Sequence, residues 1–302
     1  MPRQDLEYPK EPHSTINRYS QNGNYTLETI HSIINSTPFL HVSFNTPDSP
    51  FPAVIPMIGQ MGSFERPSAD LGDVLDLYIH GYAFPLPLFL PPSLPPVPPA
   101  MSPRRLTSGG RYISSRLIST TRTTSSPEGL PLTVAASTVD GLVLSLCPFT
   151  HSYNYRSAVL FGYATLVTDP AEKLYAMELI TNAVAPRRWQ DTRSPPTAGE
   201  LASTSLLRVK ITTGSAKIRT GPPNDDKADL ENKEVTSKAW TGVVPVYTVM
   251  GEPRASAYNE VERPPKSLED WRQDMNADGQ DYAERAAVRG LKAVEKTKED
   301  ED

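Results

Sequence analysis

The stretch from His151 to Val167 constrains the fold more than any other. It opens on polar groups (a histidine, hydroxyls, the amide of Asn154 and the guanidinium of Arg156) and runs unbroken into Tyr155–Val167, rich in aromatic and β-branched residues. Such a run reads as a strand. Gly162 removes a side chain in its middle, which marks a bulge or the close approach of another backbone or a ligand. Arg156 carries five donors in a fixed fork, suited to a phosphate or the edge of a flat ring, and Ser157 adds a hydroxyl beside it. The expectation is the central strand of a β-barrel with its polar end in a binding site.

The neighbouring segments have the same character. Leu27, Ile30, Ile33 and Ile34 recur at helical spacing, with Asn24 or Thr26 as a cap and Pro38 as a stop. Phe39–Phe44 and Ala53–Gly59 read as strands around a turn at residues 45–50, and Pro56 implies an edge or an irregularity. Leu75, Leu77 and Ile79 alternate with Asp76, Tyr78 and His80, a period of two. Leu132–Ser137 and Leu142–Leu146 read as a hairpin turned by Asp140-Gly141. Asp169-Pro170-Ala171-Glu172 opens a helix, with an acceptor at the cap and proline at the first position. Leu206–Thr212 and Ser215–Gly221 carry basic residues spaced by two, so Lys217 and Arg219 share a face. A short helix is expected within 225–238 and a last strand at Gly242–Val249. The total is seven or eight strands with two or three helices, a mainly β chain that points to a barrel or a sandwich.

Three regions fall outside this pattern. Residues 1–24 are polar and read as a flexible arm. Residues 253–302 are charged and poor in large apolar side chains, which suggests a disordered tail with a frayed helix near residues 282–298. Residues 83–112 hold nine prolines and no acidic residue. Proline-rich chain is extended and cannot join a sheet interior. A recognition segment for aromatic grooves, a disordered loop and a translated intron are the three readings its composition leaves open. The domain proper is then 25–252, interrupted by this insert.

Composition excludes several function classes. With 30 basic against 35 acidic residues, a general nucleic-acid-binding surface is not expected. The single Cys147 rules out an internal disulfide and fits a reducing compartment. The first residues lack the apolar core of a signal peptide, and no run of 18 apolar residues occurs. The cytoplasm is the expected location, with no membrane partner. His13, His31, His41, His80 and His151 show no metal-motif spacing. No nucleophile elbow, dinucleotide fingerprint or phosphate loop is present.

What survives is a set of cationic and hydroxyl groups at strand ends: His80, Ser114, Ser115, Arg116, Arg156, Ser157, Lys217 and Arg219. Ser114–Leu117 reads as a helix start, and serine hydroxyls with an arginine at a helix N-terminus make an anion site. A plain cap with a solvent-facing arginine is the alternative. The whole set suits an anionic ligand with a phosphate and a polar ring, or else consists of ordinary rim residues.

Several pieces together resemble a known family. They are Ala53-Val54-Ile55-Pro56-Met57, Leu77-Tyr78-Ile79-His80-Gly81-Tyr82 followed past the insert by Ser114-Ser115-Arg116-Leu117, and Thr138–Leu144. The others are His151–Gly162 and the helix after Asp169. Their order resembles the pyridoxamine 5′-phosphate oxidase-like flavin-nucleotide-binding proteins, in the subgroup that includes the nitroimidazole-resistance proteins, and within it a fungal branch. The resemblance implies a six-stranded antiparallel split barrel, a homodimer and FMN as cofactor. By position, Ser114, Ser115 and Arg116 would hold the phosphate, and Tyr155, Arg156 and Ser157 would line the flavin or its ribityl chain. His80 and Gly81 would sit against the cofactor, with Lys217, Arg219 and Trp240 completing the pocket. It further implies a flavin-dependent oxidoreductase. A non-catalytic flavin or haem carrier on the same fold, and an interaction protein acting through the proline-rich segment, are the competing functions.

Overall fold

The computed structural model describes residues 5–47, 49–82 and 109–288. The proline-rich segment 83–108 and the terminus beyond 288 lie outside the described residues. In chain order the elements are β1 (Gly23–Asn24), α1 (Leu27–Ser36), β2 (Leu40–Phe44), β3 (Ala53–Met57), β4 (Gly59–Gly62), β5 (Asp76–Tyr82) and α2 (Gly109–Thr123). There follow β6 (Leu130–Leu144), β7 (Ser152–Leu166), α3 (Pro170–Val184), α4 (Ala198–Ser203), β8 (Thr204–Arg219), α5 (Lys227–Glu231), α6 (Lys233–Thr236), β9 (Gly242–Pro245) and α7 (Lys266–Val288).

The chain is mainly β, with few long helices. The strands hydrogen-bond in the order β3-β2-β6-β7-β8-β5-β4, with β1 also on β8 and β9 also on β6, nine strands among the described residues. This exceeds the six expected from family resemblance. Every register resolved between them is antiparallel.

Contacts divide the chain into two units. The first holds 1–15, 25–136 and 159–215; the second holds 16–24, 137–158 and 216–302. The first unit has the larger apolar core. Leu40, Val42, Ile55, Leu77, Ile79, Leu160, Leu206 and Leu207 are fully or almost fully buried there, together with Ile30 and Ile34 of α1. Burial of this kind contributes roughly 1.5–3 kcal/mol per large side chain. Helix α2 packs on β3 and β5, and α3 packs on β4 and β5. Asp169 caps α3 by accepting from the Glu172 amide, as its sequence foretells.

Residues 5–15 are tied down rather than flexible. Tyr8 is buried, its amide bonds to the Tyr25 carbonyl, and Ser14 meets Thr213 at 2.8 Å. The Tyr8 hydroxyl lies 2.7 Å from Nε2 of the fully buried His31, whose Nδ1 lies 2.8 Å from the Leu71 carbonyl. A carbonyl only accepts, so Nδ1 carries the proton, and Nε2 accepts from Tyr8. Burial lowers the His31 pKa to about 4, against the weaker opposing pull of the Leu71 carbonyl.

The Asp140-Gly141 pair does not turn the chain. β6 runs through it as one strand of 15 residues. A two-residue primed turn needs positive φ, and Gly141 is not among the described glycines with positive φ. Asp140 is instead buried and ion-paired, which removes it from turn chemistry. The C-terminal region also departs from expectation. α7 spans Lys266–Val288, with Ala283 and Ala286 buried and α7 packed on β9 in the second unit. Small alanines let the helix approach closely, so it needs few large apolar side chains.

Gly162 meets the expectation of a close approach. A Cβ there would run into the Lys210 carbonyl oxygen, a backbone atom that cannot swing aside. Gly162→Ala should therefore destabilise the protein by about 2 kcal/mol or more in denaturant unfolding. Gly199→Ala, with nothing within 4 Å of its added Cβ, should leave stability unchanged or raise it by up to about 1 kcal/mol.

His31 sets a second test. Its folded pKa lies below the ordinary 6.5, so between 6.5 and about 4 the unfolded chain binds the extra proton and the folded chain does not. Stability should fall as the pH drops through that window, by up to about 3 kcal/mol. Unfolding midpoints measured from pH 7 to pH 4 check this; in His31→Gln the slope should shrink, and an unchanged slope would assign it to other groups.

Candidate functional site

In the first unit, Arg116 lies on α2. The helix is already formed at Gly109, so Ser114, Ser115 and Arg116 stand beyond its first described turn, and the expected anion site at a helix start is not where sequence alone puts it. The side chains of Ser114 and Ser115 lie outside the described residues. Arg116 is half-buried and its Nη2 donates to Thr46 Oγ1 at 3.4 Å. α2 packs against β5, the strand that carries His80 and Gly81. Gly81 itself pairs with Ser205 of β8.

His80 lines a cavity of about 360 Å³ whose other walls are Met177, Ile180, Thr181, Val184, Arg188, Thr192, Thr204 and Leu206. His80 as a whole is solvent-exposed, yet the protein atoms around its ring hold its pKa below the ordinary histidine value, so the neutral imidazole is favoured. Beside it, Tyr78 donates to Glu172 Oε1 at 3.0 Å, and Arg208 Nη1 reaches the same oxygen at 3.0 Å. Burial, then the Glu172 carboxylate, pushes the Tyr78 hydroxyl up. Burial also raises Asp76, against the pull of Arg208. This network holds α3 to the sheet and keeps its charges internally paired.

The second unit gathers Tyr155, Arg156, Ser157, Lys217 and Arg219, because β7 and β8 carry them side by side. The donors of Arg156, Ser157, Lys217 and Arg219 are spent on protein. Arg156 grips Asp140 through Nε at 3.1 Å and Nη2 at 2.7 Å, and its guanidinium lies 3.8 Å from the ring centroid of Tyr282. Ser157 donates to the Lys217 carbonyl at 3.1 Å, and Lys217 Nζ donates to the Arg18 carbonyl at 2.9 Å. Arg219 reaches Asn154 Oδ1 and the Pro222 carbonyl. Burial raises the Tyr155 hydroxyl while Arg219 opposes the rise. Trp240 is 65% exposed with its ring over Gly242. Asn154 also donates to the carbonyls of Gly221 and Ala286, the latter on α7. The ligand-facing role expected for these donors from sequence thus meets a structure in which they bind backbone carbonyls, Asp140 and α7. His151 accepts from the Ser145 amide at 2.9 Å, a structural role. Among the described residues, no group of three or more His, Cys, Asp or Glu could hold a metal, and no helix is long and apolar enough to cross a membrane.

Sequence reasoning missed Arg188, Asp140 and Tyr282. Arg188 sat in a loop with no periodic signal. The Asp140-Gly141 pair carried a stronger turn signal than ion-pair signal, and Tyr282 lay in a charged segment with no apolar stripe.

The Asp140–Arg156–Tyr282 stack can be tested by stability. Asp140→Ala leaves a largely buried guanidinium without its carboxylate and should cost about 3 kcal/mol. Tyr282→Ala should cost about 1–2 kcal/mol. The double variant should lose less than the sum, since both act on one guanidinium; strict additivity in denaturant unfolding would show that the stack is not a unit.

Residues 104–218, less than half of the chain, match the family model described as Pyridoxamine 5′-phosphate oxidase. No curated protein matches the chain. The flavocytochrome Anf3 from Azotobacter vinelandii superposes with a TM-score of 0.61 at 24% identity, covering 86% of this chain and 96% of its own. The FAD and heme binding protein from Mycobacterium smegmatis gives 0.58 at 24% identity, covering 84% and 97%. Residues 104–218 are thus similar to the Pyridoxamine 5′-phosphate oxidase family model, and the mainly antiparallel β fold of the chain is like that of these two proteins.

Proposed function

We propose that this protein is a flavin-binding split-barrel protein, with FMN as its flavin, and that it works as a cytoplasmic homodimer in flavin-dependent redox chemistry. The observation that carries this is the coincidence of the family match over residues 104–218 with a fold like that of two proteins whose names state flavocytochrome and FAD and heme binding. The donor chemistry of the first unit fits. Arg116, half-buried beside Thr46, offers a guanidinium and a hydroxyl to a phosphate. α2 packs this group against the strand of His80, whose neutral imidazole suits the edge of a ring. In the second unit Arg156, Lys217 and Arg219 bind Asp140 and backbone carbonyls; their part is to fix the strands rather than to grip the ligand.

When bound, the flavin supplies the electron transfer. The chain's own residues would hold the phosphate and confine the ring, with burial biasing the His80 imidazole toward its neutral form. The fungal branch and the nitroimidazole-resistance-like subgroup remain part of this proposal, as does oxidoreductase activity.

Purified protein should be yellow and should release FMN on denaturation, identified by chromatography against FAD and riboflavin. Arg116→Ala should weaken FMN binding roughly 30-fold, about 2 kcal/mol, as expected for loss of a charged phosphate contact. A colourless protein that takes up no added FMN or FAD would overturn the proposal, and release of FAD alone would correct the flavin. Light scattering distinguishes dimer from monomer. The neutral imidazole of His80 favours one second reading, a carrier holding haem as well as flavin; protein produced with added haem should then show haem absorption that His80→Ala removes.

A further inference from the structure

The cavity beside α3 carries a feature that the flavin proposal does not use. Arg188 is half-buried in its wall, and no described side chain or carbonyl accepts from its guanidinium. The carboxylates nearest in sequence are engaged elsewhere: Asp191 with Arg187 at 3.4 Å, Glu178 with Gln190 at 2.8 Å. No acidic residue lines the cavity. A half-buried cation without a counter-charge carries a desolvation cost that an incoming anion would offset.

The rest of the wall says what kind of anion fits. Met177, Ile180, Val184 and Leu206 form an apolar surface, while Thr181, Thr192, Thr204 and His80 supply polar contacts. A volume of about 360 Å³ lies at the lower end of the roughly 300–1,000 Å³ typical of small-ligand sites. The wall is also held in place. The Trp189 amide donates to Asn182 Oδ1 at 2.9 Å, the Thr192 hydroxyl donates to the Arg188 carbonyl at 2.5 Å, and Asp191 N donates to the Arg187 carbonyl at 2.8 Å. Arg187 is held at φ 62, a conformation a non-glycine residue adopts at a cost, immediately before the cavity-lining arginine.

We propose that this cavity is a binding site for a small amphipathic carboxylate, a flat or branched apolar body resting on Met177, Ile180, Val184 and Leu206 with its charge on Arg188. Its occupancy does not depend on the flavin proposal; if FMN binds as proposed, the carboxylate is a candidate substrate or effector beside it.

The test is a calorimetric titration of the full chain with 2-naphthoate, and with the neutral 2-naphthamide, in the presence and absence of FMN. Naphthoate should bind saturably and more tightly than the amide. Arg188→Ala should weaken naphthoate roughly tenfold or more and leave the amide unchanged, with Arg188→Lys restoring part of the loss. Val184→Trp, placed on a helix position 58% exposed in the present structure, should fill the cavity and block both ligands. Arg193→Ala, whose guanidinium pairs with Glu200 outside the cavity, should bind like the parent, and thermal melts confirm that each variant is folded. The proposal is overturned by absence of saturable naphthoate binding to millimolar concentration, by equal affinity for acid and amide, by indifference to Arg188→Ala, or by displacement of naphthoate by FMN. Naphthoate binding to a protein that takes up no flavin would sink the flavin proposal alone.

Discussion

The approach of β7 to β8 at Gly162 is the constraint on which the first unit depends. The Lys210 carbonyl occupies the space where any side chain at position 162 would stand. That closeness lets Leu160, Leu206 and Leu207 reach full burial on neighbouring strands. β5 continues the pattern on the other side of β8, pairing Leu77 with Val209 and Ile79 with Leu207. The same pairing places His80 opposite Leu206 and Tyr82 opposite Thr204, so the cavity wall is a by-product of sheet register. Helix α3 closes it because Ala176 and Ile180 bury against Tyr78, Val167 and Leu206.

Polar chemistry divides differently between the two units. In the second, Arg156, Ser157, Lys217 and Arg219 each find a protein acceptor, and α7 supplies two partners of this region, Tyr282 and the Ala286 carbonyl. Buried polar groups satisfied in this way rigidify a structure. In the first, Arg188 and His80 face an open cavity. A cavity with an unspent cation in its wall is the arrangement expected of a binding protein whose ligand supplies the missing charge.

Much of the fold was legible because it rests on local periodicity. The 3.6-residue spacing of Leu27, Ile30, Ile33 and Ile34 became α1, the alternation through Leu75, Leu77 and Ile79 became β5, and the Asp169-Pro170 start became α3. The turn at Asp140-Gly141 failed because the same residue pair can serve a turn or an ion pair. The choice fell to Arg156, 16 positions away. α7 was obscured for a related reason: its buried face is alanine, a residue whose small side chain carries almost no periodic signal.

The candidate site was legible as a set of residue types and not as a set of roles. Arginine, serine and histidine at strand ends mark possible donors whatever they bind, and residue type alone decided that no multi-cysteine site or internal disulfide exists here. Whether a guanidinium meets a ligand or a carboxylate depends on what the chain returns beside it. Asp140 and Tyr282 were returned to Arg156, and no acid was returned to Arg188. Strand periodicity is a short-range property that the sequence by itself determined. The pairing of charges is long-range, and only the tertiary structure decided it, because electrostatic partners are chosen by distance in space and not by distance along the chain.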